Sequence, residues 1–171
     1  VQSWYGCAPL QPVVTGRTVI FVGRGGRTIR SFSYSLEADG YSGYDLTRYA
    51  AHLFRNREGA SLCYQQEPAG LVWVVMSDGA LLSCTFAPDE DVVSWSRHDT
   101  RGRFESCGSL VDVDGSDQVY FCVAREIGCV TRGLIEVLED AADSIEHPAD
   151  GFFLDCGLTS RGAVPYTPLT L

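Results

Sequence analysis

Leu71-Val72-Trp73-Val74-Val75-Met76, then Ser77-Asp78-Gly79-Ala80, then Leu81-Leu82-Ser83-Cys84-Thr85-Phe86 is the stretch on which the fold turns. A short apolar run rich in valine and bounded by turn residues reads as a β-strand. The Asp-Gly pair between two such runs reads as the tip of a hairpin. The run Leu71–Met76 is also the longest apolar stretch in the chain, far short of what a bilayer requires.

Working outward, Ser61–Gln66 precedes it across Glu67-Pro68-Ala69-Gly70, and Val92–Arg97, carrying Trp95, follows Ala87–Asp91. Four strands joined by short turns make a meander over 61–100. On the N-terminal side, a unit over 11–54 begins with strand Gln11–Val22, broken by a turn at Thr15-Gly16-Arg17. It returns through Arg24-Gly25-Gly26-Arg27 as Thr28–Tyr34. Ala38–Gly43 reads as a loop. Asp45 is then an N-cap for a short helix over 46–54, with Leu46, Tyr49, Ala50, Leu53 and Phe54 on one face. A third unit over 104–138 contains strands Phe104–Val113, Gln118–Ala124 and Val130–Leu138. Residues 139–171 read as a polar loop and the start of a further strand at Gly151–Asp155.

Val19-Ile20-Phe21-Val22, Val72-Trp73-Val74-Val75 and Val119-Tyr120-Phe121-Cys122 superpose on their strand–turn–strand context. Phe21 and Trp73 lie 52 positions apart, and Trp73 and Phe121 lie 48 apart. A period of about 50 residues made of four-strand meanders is the pattern of propeller blades. The expected fold class is therefore mainly β: antiparallel meanders stacked as an incomplete propeller, with a two-sheet sandwich as the alternative.

The bulk properties narrow the function classes. The 171 residues, 45% hydrophobic and 20% charged, suit a folded domain. The net charge is −9 and all 13 basic residues are arginine, scattered along the chain. That argues against sequence-specific nucleic-acid binding, which needs clustered positive charge, but not against a surface along which DNA slides. The seven cysteines, Cys7, Cys63, Cys84, Cys107, Cys122, Cys129 and Cys156, show no zinc-ligand spacing. Several fall in apolar strands, where a free thiol acts as a small hydrophobe, and a reducing compartment is expected.

Three sets of segments resemble bacteriophage and prophage tail proteins. The first set is Val19–Arg27 with Ser35–Tyr41 and Asp45-Leu46-Thr47. The second is Ala51–Phe54 with Tyr64–Pro68 and Val72–Gly79. The third is Trp95–Thr100 with Phe153–Thr159. They run in consistent order from Gln11 to Thr159, and as a set they are similar to the nozzle (tail tubular B-like) proteins of short-tailed phages. The resemblance implies an internal fragment of a propeller-like virion component, made in the bacterial cytoplasm. Such a component assembles with itself and other tail subunits into a ring or tube, with DNA only as passing cargo.

The chemistry-bearing residues have plain readings beside their functional ones. His98-Asp99 fits a general base with its orienting carboxylate, or a strand end whose Asp99 and Thr100 bond turn amides. Asp112–Asp117 has the acid density of a calcium loop but neither its order nor its closing glutamate, so a hairpin turn is expected. Gly23–Thr28 has no lysine and no following helix, which removes a phosphate loop. Glu67, Glu136 and Asp155 are the acids that a glycan hydrolase would have to pair. No catalytic residue, metal ligand or cofactor site is assigned. A tail-associated cell-wall hydrolase and a receptor- or glycan-binding module stand as the alternatives to a structural role.

Overall fold

The computed structural model describes residues 4–37, 39–139 and 155–157. The chain divides into two compact units, Val1–Asp140 and Ala141–Leu171. In the second, only a turn at 155–157 is described, so the expected strand at Gly151–Asp155 falls largely outside the described residues.

Among the described residues, the first unit contains eleven strands in three antiparallel sheets, each a simple meander. The first sheet contains β1 (Val13–Thr15), β2 (Thr18–Val22), β3 (Ile29–Ser35) and β4 (Gly40–Ser42). The second contains β5 (Gly59–Gln65), β6 (Leu71–Met76), β7 (Leu81–Ala87) and β8 (Val92–His98). The third contains β9 (Arg103–Val111), β10 (Asp117–Ile127) and β11 (Val130–Val137). The three superposable segments are thus the second strand of each sheet.

β6 explains the stacking. Side chains alternate across a strand, so a continuous apolar run requires cover on both faces. Val72, Val74 and Met76 join Ile20, Val22, Ile29, Leu82 and Cys84 in a core shared with the first sheet. Trp73 and Val75 join Cys63, Leu81, Val119, Phe121 and Val123 in a core shared with the third. The fold is therefore three-layered, where a sandwich would have two sheets. The sheets do not close into a barrel or ring among the described residues. Successive sheets approach through their first strands, β1 against β5 and β5 against β9.

This facing corrects the alignment of the repeats in one respect. Val19, Val72 and Val119 occupy corresponding faces of their sheets, but Trp73 points the opposite way from Phe21 and Phe121. Counting from aromatic to aromatic is out by one residue, and one residue in a strand is a change of face.

Two further expectations fail. The segment expected as a loop at Ala38–Gly43 contains β4, whose Tyr41 pairs with Tyr34 and stacks on Phe32 with ring centroids 5.0 Å apart. The helix expected over 46–54 is only a single 3-10 turn at Ala51–Phe54. Leu46 has both backbone groups engaged elsewhere: its N–H donates to Ile29 O, and its carbonyl accepts from Trp95 Nε1 at 2.8 Å. The Asp45 carboxylate accepts from Thr47 N and Thr47 Oγ1, closing a local turn rather than starting a helix. Leu46 and Phe54 still reach the core, and Phe54 meets Trp95 edge-on at 5.0 Å. The segment is a plug over β8 between the first two sheets, so Tyr49, expected on the buried face, is 96% exposed.

Candidate functional site

Strand pairing creates one catalytic-looking contact that is invisible in the sequence. Ser83 on β7 and His98 at the end of β8 share a face, and Ser83 Oγ lies 2.8 Å from His98 Nε2. The imidazole packs 5.1 Å from the Trp73 ring, and burial lowers its pKa, opposed by the charge of Asp99. A neutral His beside a serine hydroxyl is the first half of a nucleophilic pair. The second half is not built. Asp99 binds Arg97 Nε and Nη2 at 3.1 and 2.8 Å, which uses the carboxylate that would orient the ring. Ser83 is buried at the centre of a strand, paired with Trp73 on one side and Ser96 on the other. What this geometry does is fasten β8 to β7 beneath the third sheet.

Glu136 and Glu67 have different partners. Glu136 on β11 grips Arg125 on β10 through both oxygens, at 2.5 and 2.7 Å, and Arg125 also donates to Arg101 O. The guanidinium is buried, so this bidentate pair is a structural tie. At Glu67 it is the backbone that is used. The Asp117 carboxylate accepts from the amides of Gln66 and Glu67, while Gln65 donates to Asp117 O and accepts from Trp73 Nε1. Asp112–Asp117 is a hairpin turn in which Asp114 accepts from Ser116 N and Oγ, bonds that lower its pKa. Among the described residues no three His, Cys, Asp or Glu side chains are grouped to hold a metal ion. Gly23–Thr28 closes the β2–β3 hairpin through Gly23 N to Thr28 O. Gly26 there has φ +72°, with Glu58 packed where a side chain would go.

Two interior thiols, Cys63 and Cys107, lie in the core between the second and third sheets. The interaction with Cys107, with burial, raises the pKa of Cys63, and the same interaction lowers that of Cys107. Ser61 Oγ lies 3.5 Å from the Cys107 sulfur and accepts from its amide at 3.2 Å. Burial alone pushes the Cys84 thiol up to about 12.

Two surface features remain. The arginines are less scattered in space than along the chain: Arg27, Arg48, Arg55 and His52 border a cleft of about 640 Å³, with Asp45 as the acid on its wall. The free faces of the outer sheets are largely apolar, with Arg30 on the first, opposite Phe21 and stacked 3.5 Å over the Tyr5 ring. On the first sheet, Tyr5, Cys7, Leu10, Val19, Phe21 and Phe32 line a groove of about 380 Å³, flanked by Tyr34 and Tyr41. On the third sheet, register places Leu110, Tyr120, Cys122, Ala124, Ile135 and Val137 on the face turned away from the second. Leu110, Ile135 and Val137 are 65%, 77% and 48% exposed.

Among the described residues, no helix is long and apolar enough to cross a membrane. Searched against protein-family models and curated proteins, the chain matches none of them.

Proposed function

We propose that this chain is a structural module of a phage or prophage tail: a propeller-like stack that contacts other tail subunits around a passage for DNA. The observation that supports this reading is the repetition. Three meanders of similar length are stacked in chain order, each with its second strand at the centre of the packing and its first strand nearest the neighbouring sheet. Such a body grows by adding sheets and needs no catalytic centre. The polar groups that looked chemical are spent on joining strands and sheets, as with Arg125–Glu136 and Ser83–His98. A net charge of −9 suits a wall that DNA passes without adhering.

The test is immunogold labelling of particles released from cultures of the source organism, using antibodies raised against the chain. Gold at the tail supports the reading, and particles that lack the chain overturn it. Clearing of a peptidoglycan zymogram by the purified chain would overturn the non-enzymatic part.

A further inference from the structure

The free face of the third sheet is anomalous for a surface exposed to water. A half-solvated antiparallel sheet alternates apolar inward with polar outward. Here the outward positions from Ser106 to Leu110, Gln118 to Ala124 and Gly133 to Val137 include no charged residue, although the protein carries 22 acids and 13 arginines. Charge returns at Glu105, exposed beside the β9 bulge, and at Glu126, while Arg103 reaches back to Ser77 of the second sheet.

Two glycines sharpen the point. Gly108 faces Tyr120 and Gly133 faces Ala124, both in strand centres on this outward face. Neither has positive φ, and a Cβ at either would meet nothing within 4 Å. Nothing in the described chain therefore demands glycine, a residue that weakens a strand. Glycine inside a strand marks a place where another backbone comes close.

The opposite end of the stack offers the matching surface. The free face of the first sheet holds the groove around Phe21 and Phe32, with Val14 64% exposed beside Val19. By position in the repeat, this face corresponds to the side of the third sheet that packs on the second. The free face of the third sheet likewise corresponds to the side of the first sheet that packs on the second. The molecule already forms this kind of contact twice within itself.

We propose that a second copy of this chain continues the stack head to tail, seating the Leu110–Ile135–Val137 ridge of one copy in the Phe21–Phe32 groove of the next. Such a contact is heterologous, so it closes a ring or extends a filament according to the rotation per step. The inference rests on the stacked-sheet reading above and adds the partner and the two faces.

The experiment is sedimentation velocity of the full 171-residue chain, with circular dichroism as the folding control. Wild type sediments as dimers or larger, increasing with concentration. Gly133→Val, which fills open space on a strand, keeps the fold and sediments as a monomer. Phe21→Asp does the same from the other face, and Val14→Asp is its solvent-exposed substitute should Phe21→Asp fail to fold. Mixing Gly133→Val with the first-sheet variant restores a one-to-one pair, because each retains the face the other has lost.

A monomeric wild type overturns the proposal. So does a first-sheet variant that still associates, which would mean a symmetric contact of third sheets. So does association that survives every substitution, which would mean pairing by strand edges. A monomeric chain that labels the tail removes only the head-to-tail contact. An associating chain missing from particles removes only the tail assignment.

Discussion

The two internal sheet interfaces are made differently. Between the first and second sheets the centre is hydrocarbon: Ile20, Val22 and Ile29 against Val72, Val74, Met76 and Leu82. Between the second and third sheets, apolar packing of Trp73, Val75, Phe121 and Val123 is laced with directional contacts. Trp73 reaches Gln65 and Gln65 reaches Asp117, the Cys63 and Cys107 thiols meet, and Ser61 bonds the Cys107 amide. Hydrophobic burial is non-directional and tolerates small shifts, whereas a hydrogen bond in a low-dielectric interior holds one geometry. The first interface supplies adhesion; the second also supplies alignment and holds the His98 ring against Trp73.

The largest expected effect tests the polar tie within the third sheet. Arg125→Ala leaves the Glu136 carboxylate without its guanidinium and is expected to cost about 4 kcal/mol in urea unfolding. The apolar replacement Arg125→Met with Glu136→Leu should recover most of that loss, because both desolvated charges leave together. If the double variant is as unstable as Arg125→Ala alone, the charge-pair account is wrong.

Next comes the hydrocarbon interface, where Leu82→Ala should cost about 3 kcal/mol through lost burial and a residual cavity. Its cost should be the same at mildly acidic and neutral pH, since the thiol in that centre, Cys84, is pushed up to about 12 by burial and stays neutral across that range.

The smallest effect belongs to His98. Its folded pKa lies below the ordinary 6.5, so its contribution is complete above that value. The contribution is lost as pH falls below 6.5 toward the lowered folded value, because protonation favours the unfolded chain. Melting curves at about pH 7.5 and about pH 5.5 should therefore converge more closely for His98→Gln than for wild type. Equal slopes for the two proteins would show that the imidazole is not the sensing group.

Much of this was legible residue by residue. Leu71–Met76 announced a doubly covered strand, and the turns at Asp78-Gly79 and Asp114-Gly115 placed the hairpins of the second and third sheets. β4 was hidden because Gly40-Tyr41-Ser42 has the composition of a loop, and only its pairing with β3, with Tyr41 against Phe32 and Tyr34, makes it a strand. The helix expected after Asp45 followed a sound local signal that tertiary partners outbid at Leu46. Ser83 and His98 are 15 positions apart, so only the β7–β8 register brings them together. The cleft around Arg27, Arg48 and Arg55 was missed for the same reason, since it draws on a hairpin turn and a separate connecting segment.

The amino-acid pattern alone thus determined most of the strands and hairpins, β4 excepted, and the period of about 50 residues, since alternation and turn chemistry act over a few neighbours. Tertiary structure alone decided which face each strand presents to which sheet, where Glu136 and His98 spend their polar groups, and which apolar faces stay open. Those outcomes depend on contacts between residues dozens of positions apart. No local preference of the chain encodes them.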